Sequence, residues 1–163
     1  MIFILIVIVI AFVEYLIKNY VEAKVQEGYK TDIFQGRITI NKVYNKGAFL
    51  NFLDHKKEIV KIVSGILLGL LLLLFAIVLP KKGNKVFKLG LSLILGGSIS
   101  NVSDRFLRGY VVDYFSINSK KFKKLKNVVF NLADMAIFLG ALLILLPSVF
   151  STIFKSGADK TTE

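Results

Sequence analysis

Four long apolar segments are the feature that most constrains what this chain can fold into. They cover residues 1–20, 60–79, 86–107 and 133–154, and the second carries no charge from Ile62 to Leu79. A helix needs about 20 apolar residues to cross a bilayer. The first segment lacks the basic start and small-residue cleavage site of a signal peptide, so we predict that it is retained. The sequence thus predicts a membrane α-helical fold with four transmembrane helices in a single domain, 1–163.

Composition excludes several kinds of site. The chain has no cysteine, which rules out disulfides and thiolate metal ligands, and its one histidine is His55. His55 lies in a hydrophilic run before the second apolar segment, where an exposed interfacial position is the simplest interpretation. We therefore predict neither a metal nor a cofactor. The net charge of +11 comes from lysines between the apolar segments, which favours membrane lipid headgroups over nucleic acid as partners.

The region 21–58 has a different pattern. Between Ile33 and Tyr44, β-branched residues alternate roughly with other residues, which indicates a β-strand. We predict a small β-sheet, or β-cradle, that lies on the membrane surface. With four spans, the end of the first span, this sheet, the end of the third span and the start of the fourth must share one side of the membrane.

That shared side collects nearly every polar residue within or beside the apolar segments. These residues are Glu14, Lys18, Asn45, Asn101, Asp104, Arg105, Asp113, Asn131 and Asp134. Such a distribution is typical of an active site built at one face of the membrane. The positive-inside rule leaves the orientation open, because the lysine clusters at 81–88 and 120–126 lie on opposite sides.

Two of these residues are aspartates, which membrane segments usually avoid. Asp113 follows the third apolar segment, and Asp134 opens the fourth. A carboxylate at bilayer depth costs at least about 2.5 kcal/mol, which makes each aspartate a candidate functional residue. Two on neighbouring segments suggest a pair that shares one proton and activates water.

The other polar residues admit structural as well as functional interpretations. Glu14 and Lys18, spaced i and i+4, form either an interfacial ion pair or a brace for the site. Asn101, Asp104 and Arg105 share one helix face. Asp104 is interpreted as half of an Asp–Arg pair between the helix end and the loop. Asn101 and Arg105 are predicted to reach the substrate or to hold the aspartates.

Two further sets of polar or small residues lie where a predicted helix begins or a predicted strand ends. Asn131 precedes Asp134 by three residues, where it can cap the fourth helix, and the helix dipole there favours an ionised carboxylate. Asn45 and Gly47 belong to a small-residue segment whose simplest interpretation is a β-turn.

Four short motifs occur in order between the apolar segments. They are Asn-Lys-Gly-Ala at 45–48, Asn-Val-Ser-Asp-Arg at 101–105, Gly-Tyr-Val-Val-Asp-Tyr at 109–114 and Phe-Asn-Leu-Ala-Asp at 130–134. Each motif alone is weak, but the four together are specific. In this order they resemble the motifs of the lipoprotein signal peptidases, or signal peptidase II, and the resemblance spans residues 10–154.

The resemblance implies an intramembrane aspartic endopeptidase of the bacterial cytoplasmic membrane, with Asp113 and Asp134 as its catalytic dyad and no cofactor. The expected substrate is a lipidated prolipoprotein, cut just before a diacylglyceryl-modified Cys at the extracytoplasmic face. A monomer is expected, because four helices already enclose the polar face. The residues expected to bind the substrate or support the site are Asn45, Gly47, Asn101, Asp104, Arg105, Asn131, Ala133, Glu14 and Lys18.

The chain departs from the usual family pattern at several positions. In the first span, Glu14 stands where an Asp is usual, and Ile17 stands where a Ser or Thr is usual. Farther along, Phe49 replaces a second Ala, Ser100 replaces a Gly, and Val128 replaces a Pro. A diverged paralogue, non-catalytic or of narrow specificity, that binds lipidated or signal peptides therefore stays an alternative. A carrier with an Asp-lined proton path is disfavoured, because the four spans show no internal repeat.

Overall fold

The computed structural model describes residues 1–47, 56–118 and 128–158, and of 148–158 it describes the helix alone. Within these ranges the order of elements is α1 (Ile2–Lys24), β1 (Lys30–Ile33), β2 (Ile38–Asn45), α2 (Lys57–Val78), α3 (Lys85–Leu107), β3 (Val111–Ile117) and α4 (Leu132–Ala158). Helices α1, α2 and α3 are long and apolar enough to cross a membrane, and α4 is apolar from Leu132 to Pro147. The predicted membrane fold of four helices and a small sheet is confirmed.

Helix α3 contacts each of the other three helices, and glycines allow its close approach to α4. A Cβ added to Gly97 would lie 2.4 Å from the Ala133 carbonyl oxygen. A Cβ added to Gly140 of α4 would lie equally close, 2.4 Å, to the carbonyl oxygen of Gly90. Small residues at such contacts let the backbones of two membrane helices meet. The α3–α4 interface therefore brings the start of α4 close to the backbone of α3.

The apolar interior lies among α1, α2 and α3. Val7, Phe75, Leu91 and Leu95 form its buried cluster. Helix α2 buries only Val60 and Phe75 among its described residues, so most of its surface is available to lipid. This helix therefore covers α3 from one side without contributing to the polar site.

A buried lysine closes the turn between α2 and α3. Lys88 is 7% exposed and donates a hydrogen bond to the Leu79 carbonyl oxygen at 3.0 Å and another to that of Lys81. These carbonyls follow the last turn of α2, where helical partners are missing. Lys88 thus satisfies backbone groups at the membrane end opposite to the sheet.

The three strands form one antiparallel sheet with β2 in the centre. Strands β1 and β2 form a hairpin in which Ile33 pairs with Ile38. Strand β2 pairs with β3 from Ile38↔Ile117 to Asn45↔Val111, with a shift in register between Ile40 and Val43. This register brings Asn45, the last residue of β2, beside the start of β3.

The sheet is joined directly to the start of α4. The backbone N–H groups of Tyr114 and Phe115 both donate to the Phe130 carbonyl oxygen, at 2.9 and 3.0 Å, and Phe130 N–H donates back to Phe115 at 2.6 Å. These bonds place β3 and the first turn of α4 next to each other.

Several predicted bounds need correction. Helix α1 continues past residue 20 to Lys24, because Val21 packs against Val112 and Tyr114 of β3, and α2 begins at Lys57, inside the predicted surface region 21–58. Helix α4 likewise continues past residue 154. The single strand predicted from Ile33 onward is divided by a turn, and β3 was not predicted at all, because its apolar residues directly follow a transmembrane helix.

Candidate active site

Asp113 lies in β3 and is held by two amide groups. Its side chain is only 3% exposed. Asn131 Nδ2 donates to Oδ1 at 2.7 Å, and Asn45 Nδ2 donates to Oδ2 at 3.1 Å. Both carboxylate oxygens therefore have a fixed direction, one set by the end of β2 and the other by the residue before α4.

Asp134 lies in the first turn of α4 and is also held by two donors. Asn101 Nδ2 of α3 donates to Oδ1 at 2.8 Å, and the Asn131 backbone N–H donates to Oδ2 at 3.2 Å. In return, Asp134 N–H donates to Asn131 Oδ1 at 2.9 Å, so Asn131 is the N-cap of α4. The structure thus brings Asp113, Asp134, Asn131, Asn101 and Asn45 into one network.

Burial and charge change the acidity of Asp113. Removal from water, followed in size by the negative charge of Asp134, raises the pKa of Asp113 from 3.8 to about 7. The hydrogen bonds from Asn45 and Asn131 act in the opposite direction, because they stabilise the carboxylate. Near neutral pH the Asp113 carboxyl is therefore present in both protonation states.

Lys18 of α1 is a buried cation that contacts this network through Asn101. Its ammonium group donates to Asn101 Oδ1 at 2.8 Å and to Ser100 Oγ at 3.0 Å, and lies 2.9 Å from Asp104 Oδ2. Glu14, its predicted partner, is 4.0 Å away. Lys18 fixes the Asn101 oxygen, which leaves the Asn101 N–H group directed at Asp134.

Asp104 joins α3 to two neighbouring elements. Besides Lys18, it contacts Arg108 Nε at 3.5 Å and accepts a hydrogen bond from the Val112 N–H at 3.3 Å. The Asp–Arg pair expected at this helix end therefore forms with Arg108 rather than with the adjacent Arg105.

Arg105 reaches across the site. Its Nη1 donates to the Asn101 carbonyl at 3.1 Å and its Nη2 to the Gly47 carbonyl at 3.4 Å. Its Nε is buried and has no hydrogen-bond partner among the described residues. The buried Nε–H group of Arg105 is therefore available for another acceptor.

A cavity of about 350 Å³ adjoins both aspartates. Its polar lining consists of Asn45, Arg105, Asp113 and Asp134, and its apolar lining of Val128, Val129, Phe130, Met135, Ile137 and Phe138. Within the described ranges, no group of three or more His, Cys, Asp or Glu side chains could hold a metal ion. The cavity combines two carboxyl groups, one guanidinium and an apolar wall, a set suited to acid–base chemistry on an apolar substrate.

Some predicted positions lie around the site rather than in it. Ala133 is fully buried under Gly97, and Gly47 is a buried acceptor for Arg105. Ala48, Phe49, His55 and the lysines at 120–126 fall outside the described residues.

Sequence reasoning missed Tyr110, Tyr114 and Glu22, and it did not pair the predicted site residue Glu14 with a tyrosine. Tyr114 OH donates to Glu14 Oε2 at 2.9 Å, and Tyr110 OH donates to Glu22 Oε1 at 2.6 Å. The bond to Glu22 raises the pKa of Tyr110 to about 12, and burial with the nearby Glu14 charge raises the pKa of Tyr114. The only signal for Tyr114 was its place directly after Asp113 in the third motif.

The comparisons with known proteins agree with a multi-pass helical membrane protein. The chain belongs to the signal peptidase II family, because the family model described as signal peptidase (SPase) II matches residues 6–150. It is 33% identical over 129 residues to a lipoprotein signal peptidase of Caldicellulosiruptor bescii, covering 79% of this chain and 75% of the relative. It is 26% identical over 148 residues to that of Lactobacillus johnsonii, covering 91% and 92%.

The fold is also similar to that of a solved bacterial membrane enzyme. The TM-score is 0.78 with 23% identity, over 92% of this chain and 88% of the solved one. Membership of the family makes this protein a peptidase of the signal peptidase II class.

Proposed function

We propose that this protein is an aspartic endopeptidase that removes signal peptides from prolipoproteins within the membrane. The observation that carries the aspartic mechanism is that Asp113 and Asp134 line one cavity, each held by two N–H donors. The substrate class rests on the relatives, such as the Caldicellulosiruptor bescii protein, which are named lipoprotein signal peptidases.

In the first step the pair carries one proton, because two close carboxylates resist double ionisation. The ionised carboxylate removes a proton from water while the water oxygen bonds to the scissile carbonyl carbon. The protonated carboxyl donates its proton to the carbonyl oxygen, which yields a gem-diol. A pKa near 7 favours Asp113 as the group that holds the shared proton.

In the second step the gem-diol collapses. One of its hydroxyls returns a proton to the carboxylate that acted as the acid, and the C–N bond breaks. The leaving nitrogen takes the proton that the other carboxyl received from water. The pair ends with one proton, as it began.

Arg105 and Asn45 hold the peptide in this proposal. Arg105 is suited to this because its Nε is buried beside the cavity and lacks a partner in the described part of the chain. A peptide carbonyl bonded there is held close to the charged pair, and positioning of this kind accounts for a large part of enzymatic rate enhancement. Lys18 supports the site by holding the Asn101 side-chain oxygen, and the carboxylates of Glu14 and Asp104 lie beside the Lys18 ammonium group.

The scissile bond lies just before a diacylglyceryl-modified Cys. The apolar wall of the cavity, which includes Met135 and Phe138 of α4, adjoins the aspartates at the membrane end that carries the sheet. Acyl chains attached to the substrate can therefore stay in the bilayer while its backbone reaches the site. We place this end on the extracytoplasmic side of the bacterial cytoplasmic membrane, and the enzyme acts as a monomer because one chain supplies every group of the network.

The test is cleavage by the detergent-purified protein of a prolipoprotein that bears a diacylglyceryl-Cys, beside the same prolipoprotein without lipid. We expect only the lipidated form to be cut, with mass spectrometry locating the new N-terminus at the lipidated Cys. A folded protein that binds the lipidated form without cutting it would contradict the proposal and indicate a non-catalytic relative.

A further inference from the structure

The Tyr114 hydroxyl joins three elements of the fold through one oxygen. It donates to Glu14 Oε2 of α1 at 2.9 Å and accepts a hydrogen bond from the Leu132 N–H of α4 at 3.1 Å, while Tyr114 itself belongs to β3. Tyr114 is 7% exposed and Glu14 is 1% exposed, so water does not replace these bonds easily.

The two aspartates lie on the two elements that this hydroxyl connects. Asp113 directly precedes Tyr114 in β3, and Leu132 is the first residue of α4, two positions before Asp134. The Tyr114 backbone N–H also donates to the Phe130 carbonyl at 2.9 Å. Tyr114 therefore holds the start of α4 with both its backbone and its side chain.

The chemistry of this contact depends on the hydroxyl. The Leu132 N–H is one of the first N–H groups of α4, which have no partner inside the helix. The bond to Glu14 is assisted by the carboxylate charge, and such bonds are roughly twice as strong as neutral ones. Phenylalanine fills the same space but leaves both the Leu132 N–H and Glu14 Oε2 without this partner.

We propose that Tyr114 is a positioning residue whose hydroxyl fixes the first turn of α4 against β3 and thereby sets the separation of Asp113 and Asp134. This inference rests on the function proposed above. It assigns to Tyr114 and Glu14 an effect on the reaction rate that acts through the aspartates, without contact with the substrate.

The separation of the two carboxyl groups controls how strongly they interact. If the first turn of α4 is held less firmly, the average distance between the Asp113 and Asp134 carboxyl groups increases. Their electrostatic interaction then weakens, and the two apparent pKa values of the pair come closer together. The pH–rate profile, which reports these values, then becomes narrower. A displacement of about 1 Å lowers the rate by roughly a hundredfold, so kcat falls while KM changes little.

The decisive comparison is between Tyr114→Phe and Tyr110→Phe. Tyr110 also bonds a glutamate of α1, Glu22, at 2.6 Å, but no bond of its hydroxyl reaches α4 among the described residues. Each variant therefore loses one tyrosine–glutamate bond between α1 and the β3 region. We would measure kcat, KM, the pH–rate profile and the thermal unfolding midpoint of both, with a lipidated prolipoprotein as substrate.

We expect Tyr114→Phe to lower kcat by roughly tenfold to a hundredfold with a narrower pH profile, and Tyr110→Phe to match the wild type. Equal kinetics in the two variants, or a lower kcat with an unchanged profile width, would overturn the inference. If Tyr114→Phe does not fold, Glu14→Gln takes its place, because it keeps an acceptor but weakens the bond. A narrower pH–rate profile of Glu14→Gln then supports the inference, and a pH–rate profile equal to that of the wild type overturns it.

Failure of the wild type to cut, or cutting by Asp113→Asn, would instead contradict the proposed function.

Discussion

Asn131 and Asp134 hold each other through two reciprocal hydrogen bonds at the start of α4. Asn131 N–H donates to Asp134 Oδ2 at 3.2 Å, and Asp134 N–H donates to Asn131 Oδ1 at 2.9 Å. This is the capping-box arrangement, with Asn and Asp in place of the usual Ser or Thr and Glu. Since Asn131 Nδ2 also holds Asp113, a single side chain caps the helix and connects the two aspartates.

The substitutions Asn131→Ser and Asn131→Ala test separately whether Asn131 caps α4 and whether it holds Asp113. Asn131→Ser keeps a capping oxygen but loses the bond to Asp113, whereas Asn131→Ala loses both. We expect the Ala variant to be less stable than the Ser variant by about 1 kcal/mol. Cleavage is expected to fall by roughly tenfold to a hundredfold in both, because a hydrogen bond to a charged group contributes about 1.5–3 kcal/mol. Thermal unfolding and kcat/KM measure these effects, and full activity of Asn131→Ser would contradict the assigned contact.

The α3–α4 interface predicts a second difference between matched variants. A Cβ at Gly97 would lie 2.4 Å from a backbone oxygen, whereas a Cβ at Gly69 would meet nothing within 4 Å. We expect Gly97→Ala to lower the stability by about 1–3 kcal/mol and Gly69→Ala to leave it nearly unchanged. The unfolding midpoints of the two variants in detergent decide this, and equal midpoints would refute the close helix contact.

The raised pKa of Asp113 predicts how stability depends on pH. Its pKa is about 7 in the folded protein against an ordinary value of 3.8, so the folded state binds more protons between these values. The stability that Asp113 contributes is therefore fully present below its ordinary pKa of 3.8 and is lost as the pH rises through about 7. We expect Asp113→Asn to be more stable than the wild type at about pH 8, by on the order of a few kcal/mol, and to lose this advantage at about pH 4. Thermal unfolding across this range measures it, and a constant difference between variant and wild type would be the contrary result.

The absence of cysteine allows a direct test of orientation. Lys46, just after β2, and Lys82, in the turn after α2, are both exposed, and the chain has no cysteine of its own. We expect a membrane-impermeant maleimide to label Lys46→Cys on spheroplasts, and to label Lys82→Cys only after the membrane is opened. The opposite pattern would place the candidate site on the cytoplasmic side.

The helices could be predicted because they depend on hydropathy. The grouping of polar residues could be predicted because successive spans cross the membrane in opposite directions, which decides which span ends share one side. Asn101 and Asp134 are far apart in sequence, yet counting spans places both on one side, and the structure joins them by a 2.8 Å hydrogen bond. The capping role of Asn131 was equally accessible, since it follows from residue type and local position.

Pairings that depend on tertiary packing could not be predicted. The i, i+4 spacing favoured Glu14 as the partner of Lys18, but α1 packs on α3 at Gly96, which brings Asp104 closer, at 2.9 Å. Strand β3 could not be predicted because only Gly109 signals a turn between it and α3, and because the strand forms by pairing with β2, which is distant in sequence. The Tyr114–Glu14 bond depends on that strand, so residue type alone did not indicate it.

Cleavage by aspartate variants tests the central claim most directly. Asp113→Asn and Asp134→Asn are compared with Asp32→Asn, which changes an exposed aspartate of β1, on the same lipidated prolipoprotein. We predict that the first two fold but do not cut, and that Asp32→Asn cuts at the wild-type rate. Wild-type cleavage by either Asp113→Asn or Asp134→Asn would show that the two carboxyl groups are not the catalytic pair.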